Sequence, residues 1–289
     1  MTGRPSPDRT SGPGVQHAGG GAGERTVTTA PPARVTLLGG FALRLGDDAQ
    51  HPVRDLPRAI QRLVAHLGLS RCPHRNAVAG ALWPDVPEDH AHGSLRSALW
   101  RLRRVAPGTV EVTGDSLCLG AGVGVDVREL EDWASRVLAP GPRGSDVALP
   151  GPALLGELLP GWPEEWVSLE RERLRQLRMH ALEALAGELV LAGRFAEAVE
   201  AASAAVREEP LRESAHRVVV RAQLAAGDVA GARRAYESFR RVLADTLGVA
   251  PTPSMTGLIP GLRPPAGDAG PAPAPGVLRR VPEVAQRSR

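Results

Sequence analysis

The chain has 289 residues, 35 of them Lys or Arg against 32 Asp or Glu, and a formal net charge of +3. Every basic residue other than histidine is arginine, which excludes a Walker A phosphate loop and a Schiff-base lysine. Aromatic residues make up only 3% of the chain, so its core must consist largely of Leu, Val and Ala, as in packed helices.

The two ends of the chain have the composition of disordered tails. Residues 1–30 are rich in Gly, Pro, Ser and Thr, and the segment 260–289 is rich in Pro, Ala and Gly. The N-terminal tail has no apolar core of a signal peptide, and no run of about 18 apolar residues predicts a membrane span. We therefore expect a cytoplasmic, nucleoid-associated protein.

The ordered part begins with two predicted strands. Val35 and Leu37, and then Phe41, Leu43 and Leu45, alternate around a Gly-Gly break. The sequence HPVRDL, residues 51–56, is a candidate third strand.

Three predicted helices follow. LPRAIQRLVAHLGLS has apolar residues at helical spacing after Pro57, and HRNAVAGALWPD is a shorter helix with Asn76 as its expected cap. The third helix, within VPEDHAHGSLRSALWRLRRVAPG, ends before Pro107 and Gly108. The segment TVEVTGDSLCLG then predicts a β-hairpin. Strands, three helices and a hairpin are the layout of a winged helix-turn-helix.

The third helix has an unusual outer face. At about 100° per residue its apolar stripe consists of Ala91, Leu95, Ala98, Leu99 and Leu102, and Trp100 points about 140° away from it. Residues 31–106 hold eleven arginines and six acidic residues, a net charge of +5, and no acid lies between 91 and 106. Such a face suits phosphates and guanine edges.

The C-terminal half reads as helix throughout. LAGRFAEA, starting at Leu191, recurs as AAGDVAGA, starting at Ala225, so Gly193 and Gly227 are 34 residues apart, the period of tetratricopeptide helix pairs. Pro210 separates the two repeats, and helices at VRELEDWASRVL and after Pro163 are expected to cap them. APGPRGSDVALPGP, residues 139–152, is predicted to be a loop or linker.

The two cysteines, Cys72 and Cys118, are distant in sequence and form no C-x-x-C motif. Two cysteines are too few for a disulfide framework or a thiolate metal site, and this indicates a reducing environment.

With these runs in view, the chain resembles the SARP family, bacterial antibiotic regulatory proteins that join an OmpR-like winged helix to a bacterial transcriptional activation domain. The resemblance is carried by VTLLGGFALRLGD, LPRAIQRLVAHLGL, ALWPDVPEDHAHGSLRSALWRLRR, VDVRELEDWA, LLPGWPEEWVSLERERLRQLRMHALEAL and EEPLRES…LGVAPTPS. It implies a mainly α fold with a small β part. The expected domains are a winged helix at 31–124 and an all-α tetratricopeptide-like activation domain at 125–259.

The resemblance also implies a function. It predicts an activator that binds direct repeats in promoter DNA, in tandem copies that associate there, and that recruits RNA polymerase to secondary-metabolite genes. No cofactor or metal is implied. The expected polymerase-contact loop contains Asp85, Glu88 and Asp89. The expected DNA-binding residues are Gly93, Ser94, Arg96, Ser97, Trp100, Arg101, Arg103 and Arg104 of the third helix, and Thr113 and Ser116 of the wing.

Three other functions remain open at this point. An enzyme is disfavoured because no metal or nucleophile motif is present, and His90 and His92, at i and i+2, point about 160° apart on a helix. A scaffold that binds only proteins would explain the helical repeats but not the Arg/Trp face. A repressor would differ from an activator only in where its operator lies.

Overall fold

The computed structural model describes residues 33–46, 52–140 and 148–259. The two predicted tails, 1–30 and 260–289, therefore lie entirely outside the described residues, as does part of the predicted linker at 139–152.

A small three-stranded sheet begins the described chain. β1 (Ala33–Thr36) pairs antiparallel with β2 (Ala42–Leu45), as predicted. On its other side β1 pairs in parallel with a third strand, whose bounds are Val123–Val125. The prediction that HPVRDL supplies the third strand is wrong: the described part of that segment forms one isolated bridge, from Pro52 to Arg44. A parallel partner needs a crossover, and here the connection from β1 to β5 contains β2, three helices and a hairpin.

The three predicted helices are α1 (Arg58–Leu69), α2 (Arg75–Leu82) and α3 (Glu88–Val105). Their ends agree with the Pro signals, but the predicted cap of α2 is wrong. The helix begins at Arg75, one residue before Asn76, and His74 occupies the cap position without a side-chain hydrogen bond. The hairpin consists of β3 (Val110–Thr113) and β4 (Ser116–Leu119), and the parallel strand Val123–Val125 is then β5.

Helices form the rest of the described chain. The first two are α4 (Asp126–Leu138) and, after a short 3₁₀ turn, the long α5 (Glu165–Leu191). The remaining four are α6 (Phe195–Glu208), α7 (Glu213–Ala225), α8 (Val229–Leu247) and the one-turn α9 (Pro253–Thr256). Consecutive helices from α5 to α8 pack against each other, and α5 also contacts α7, as in stacked helix pairs.

The two repeated glycines end the first helix of each pair. Gly193 and Gly227 have φ of 75° and 79°, a left-handed conformation that costs glycine little. Each chain reversal therefore needs glycine at that point, and this explains why the repeat is visible in the sequence.

One buried core runs from β1 through the winged-helix elements and α4 into α5, α6 and α7. A smaller core lies at the far end, where α8 and α9 enclose Phe239, Tyr236 and Met255. The predicted domain boundary at 124/125 stays a prediction, and the larger core continues across it.

Candidate nucleic-acid interface

The inner face of α3 is the stripe that the sequence predicted. Its buried residues are Ala91, Leu95, Ala98, Leu99 and Leu102. These side chains belong to the larger core and hold α3 against α1 and α2. The rotational setting of the helix is thereby fixed, because turning it would expose the whole stripe.

The outer face of α3 carries the candidate DNA-contacting residues. Arg96, Ser97, Trp100, Arg101, Arg103 and Arg104 are exposed, and Gly93 and Ser94 are half-buried. Trp100 is 59% exposed, and the Arg104 guanidinium lies 4.9 Å from the centre of its indole ring. The Ser97 hydroxyl donates to the backbone oxygen of Gly93 at 3.0 Å.

The charge of this face is not neutralised within the protein. Among the described residues, no ion pair within 4 Å involves an arginine of α3; the His92 imidazole lies 3.5 Å from the Glu88 carboxylate. The acids of the helix are confined to its first turn, where they complement the helix dipole. The outer face therefore presents a concentrated positive charge with a planar aromatic ring in its middle.

The hairpin places the two predicted wing residues opposite each other. Thr113, which is exposed, pairs with the half-buried Ser116 across a two-residue turn. Gly114 begins this turn with φ of 59°, as a II′ hairpin turn requires. The tip is held beside the start of α2, because the Arg75 N–H donates to the Asp115 carbonyl at 2.8 Å.

The structure also corrects the expectation for the cysteines. Cys72, in the α1–α2 connection, forms a disulfide with Cys118 of β4. The two cysteines are 46 residues apart in sequence, and α2 and α3, which lie between them, pack so that the chain returns to the same place. The two cysteines are thus no evidence for a reducing compartment.

The predicted polymerase-contact loop corresponds to the α2–α3 connection together with the first turn of α3, to which Glu88 and Asp89 belong. Asp85, Val86, Glu88 and Asp89 are all exposed, although Glu88 is engaged by His92. The loop lies next to the groove between α2 and α5 that Pro84 lines together with Trp166.

Sequence reasoning missed a buried carboxylate that joins the sheet to α4. Asp126 accepts the backbone N–H groups of Leu37, Leu38 and Val127 at 2.8–3.0 Å. Burial raises the pKa of this carboxyl, while these three N–H groups and nearby Arg34 act in the opposite direction. An acid at the start of the predicted fourth helix was the only available signal, and it did not reveal the contact with β1.

In the described residues, no three His, Cys, Asp or Glu side chains are grouped so that they could hold a metal ion. No helix in the same part of the chain has the length and hydrophobicity needed to cross a membrane.

A family comparison matches residues 151–263 to the bacterial transcriptional activator domain. Over 196 residues the chain is 33% identical to the regulatory protein AfsR of Streptomyces coelicolor and 29% identical to AfsR of Streptomyces griseus. These alignments cover 63% and 64% of this chain but only 20% of each relative. The chain thus spans about a fifth of the length of the curated relatives it matches.

A solved structure shares the fold. Mycobacterium tuberculosis EmbR, in a complex with a low-affinity phosphopeptide, superposes with a TM-score of 0.57. The match covers 80% of this chain and 65% of that one, at 20% sequence identity. This likeness confirms the predicted fold class, a winged helix-turn-helix followed by an all-α, tetratricopeptide-like domain.

Proposed function

We propose that this chain is a regulator of the SARP family, a sequence-specific DNA-binding protein that activates transcription. The observation that carries the proposal is the outer face of α3. Its four arginines have no carboxylate within 4 Å among the described residues, and Trp100 is exposed at its centre.

In this proposal α3 lies in the major groove. Arg96, Arg101, Arg103 and Arg104 neutralise phosphates or donate in pairs to guanine edges. The small residues Gly93, Ser94 and Ser97 allow close approach of the helix backbone. Trp100 contributes apolar contact, and Thr113 and Ser116 of the wing contact the neighbouring sugar–phosphate backbone.

The finer parts of the proposal concern the target and the partner. The operator consists of direct repeats, so that tandem copies bind side by side upstream of secondary-metabolite genes. The exposed acids Asp85, Glu88 and Asp89 contact RNA polymerase. The protein acts in the cytoplasm, on the nucleoid, and its family is one of regulators and not of enzymes.

The test is a fluorescence anisotropy titration of the full chain with the DNA upstream of its own gene and with a scrambled duplex. The variant is Arg101→Glu/Arg104→Glu. The control is Arg221→Glu/Arg241→Glu, which changes two exposed arginines of α7 and α8 by the same charge. We expect tight binding to the native duplex, and a salt slope that is smaller by about 2 in the α3 variant because two phosphate contacts are lost.

Different outcomes separate the alternatives. Equal binding to native and scrambled DNA, or binding that the α3 variant retains, would refute sequence-specific recognition by α3. No DNA binding at low salt would favour a protein-binding scaffold, which the paired helices α5–α8 would serve. DNA binding with a fall in transcription from the bound promoter would show a repressor.

A further inference from the structure

A cavity lies where the three-stranded sheet meets the long helix α5 and the end of α6. Its volume is about 320 Å³, which is the size of a small-molecule site. Leu38, which follows β1, lines one side, and residues of the segment 155–158 line the next. Residues within 171–178 of α5 and 207–208 of α6 line the remaining sides. The cavity is therefore shared between the winged helix and the helical half.

The wall formed by the segment 155–159 is fixed on two sides by hydrogen bonds. Toward the sheet, the Leu159 N–H donates to the Leu37 carbonyl at 2.9 Å. Toward α5, the Arg171 guanidinium donates to the carbonyl oxygens of Leu158 and Leu159 at 3.1 and 3.0 Å. This wall is therefore attached to both halves of the protein, and a molecule that packs against it strengthens the contact between them.

The inner surface of the cavity is apolar. It consists of leucines from three separate parts of the chain: Leu38, Leu155, Leu158 and Leu174. Leu38, Leu158 and Leu174 are at most 5% exposed and belong to the larger core, so their positions are fixed by close packing. A ligand that fills the cavity therefore needs an apolar body.

The rest of the lining holds an excess of hydrogen-bond donors. It consists of four arginines and two glutamates: Arg171, Arg175, Arg178, Arg207, Glu157 and Glu208. Each arginine has five N–H donors and no acceptor. Arg178 is 6% exposed, and its Nε–H has no acceptor among the described residues. A ligand that suits this lining therefore supplies acceptors and not donors.

One of the four arginines has no carboxylate partner. The ion pairs of the other three are Arg171 with Glu157 at 3.0 Å, Arg178 with Glu208 at 2.8 Å, and Arg175 with Glu172 and Glu209 at 2.8 and 2.5 Å. Arg207 is exposed, and in the described part of the chain no carboxylate lies within 4 Å of its guanidinium. The cavity therefore offers a single uncompensated positive charge beside its apolar surface.

We propose that this cavity binds an amphipathic organic acid, a small molecule with an apolar body and one negatively charged group. The body packs on Leu38, Leu158 and Leu174, and the acid group accepts charge-assisted hydrogen bonds from Arg207. A neutral apolar molecule would leave the arginine donors without acceptors, and an inorganic anion would not contact the leucines. The proposal goes beyond the proposed function and does not depend on DNA binding, so either one fails without the other.

The test is displacement of 8-anilinonaphthalene-1-sulfonate from the full chain, followed by its fluorescence. This probe has an aromatic body and one sulfonate, and it fluoresces on apolar protein surface. The competitors are hexanoate, octanoate and decanoate, uncharged decan-1-ol, and inorganic phosphate. The variants are Arg207→Gln and Arg207→Glu, which change an exposed side chain and leave the core intact. Arg221→Glu, at an exposed position of α7, is the matched control.

We expect the three carboxylates to displace the probe, with an affinity that rises about threefold for each added methylene. Arg207→Gln should weaken decanoate binding about fivefold and Arg207→Glu about tenfold or more, while Arg221→Glu binds as the wild type does. At ten times its Kd, decanoate should raise the Tm of the wild type by about 3 °C, because it binds only the folded protein.

The other outcomes would overturn the proposal. Decanol that competes as well as decanoate would show that no acid is recognised, and phosphate that competes as well would show that no apolar body is. Equal binding by the wild type and Arg207→Glu would place the ligand elsewhere. A loss in Arg221→Glu as large as the loss in Arg207→Glu would show attraction by the net charge alone. Failure of decanoate to displace the probe would leave no site for such an acid, whatever the DNA titration shows.

Discussion

Trp100 is the largest apolar side chain that α3 leaves exposed, and it makes few packing contacts within the protein. Its indole ring is contacted by the Arg104 guanidinium, on the same helix. A tryptophan kept at the surface in this way is most easily explained by a partner that covers it. Replacement of Trp100 therefore distinguishes a role in binding a partner from a role in stabilising the fold.

We expect Trp100→Ala to weaken promoter binding about tenfold while changing the free energy of unfolding by less than about 0.5 kcal/mol, as for exposed positions. Anisotropy and urea denaturation measure the two effects. A fall of several kcal/mol in stability with unchanged DNA affinity would show that Trp100 packs within the protein.

Asp126, unlike Trp100, is buried, and its hydrogen bonds stabilise the fold. We expect Asp126→Ala to lower the free energy of unfolding by about 2–3 kcal/mol, since the N–H groups of Leu37, Leu38 and Val127 lose their shared acceptor. Asp132→Ala, at an exposed position of the same helix α4, is the control and should have little effect. Equal stability of the two variants in urea denaturation would contradict this role.

Among the secondary-structure elements, the hairpin is attached to the helices in two ways. Backbone hydrogen bonds join it to the start of α2, from Arg75 N–H to Asp115 and from Leu117 N–H to Pro73. The disulfide Cys72–Cys118 adds a covalent link at the same place. The wing tip is therefore positioned by noncovalent contacts even without the disulfide.

We expect loss of this disulfide to lower the free energy of unfolding by about 2–4 kcal/mol, because the link closes a loop with a sequence separation of 46 residues. DNA affinity should change little, since the hydrogen bonds remain. Urea denaturation with and without a reducing agent measures the effect. Cys72→Ala/Cys118→Ala is the control, whose stability must not respond to the reductant; a wild type that also fails to respond would show that the disulfide does not form in solution.

At the scale of the whole molecule, the winged helix and the helical half share an aromatic and charged contact. Arg58 of α1 lies 3.6 Å from the ring centre of Trp162, and His66 meets Trp166 edge-on with 5.2 Å between ring centres. Burial lowers the pKa of His66 below its usual 6.5. The folded protein therefore keeps this imidazole neutral at a pH where the unfolded chain protonates it.

Because the folded pKa is the lower one, stability should fall as the pH decreases through 6.5 towards the folded pKa. We expect His66→Phe to make the free energy of unfolding less sensitive to pH in this window. His216, whose pKa burial also lowers, should account for a separate part of the slope. Urea denaturation at pH 7.5 and 5.5 tests this, and a slope unchanged by His66→Phe would contradict it.

The sequence alone determined the features that depend on neighbouring residues. The stripe of α3 from Ala91 to Leu102 and the outward direction of Trp100 follow from helical periodicity, and both are confirmed. The 34-residue spacing of Gly193 and Gly227 predicted the two turns between paired helices. Each of these features is fixed within a few residues by backbone geometry.

Only the tertiary structure decided the features that join distant parts of the chain. These are the parallel pairing of β5 with β1, the Cys72–Cys118 disulfide, the Asp126 contact with β1 and the groove between Gly80 and Leu169. In each case the partners are 46 to about 90 residues apart, and their contact depends on how all the intervening helices pack. Local periodicity contains no information about that packing, because it determines which face of an element is buried but not what the face is buried against.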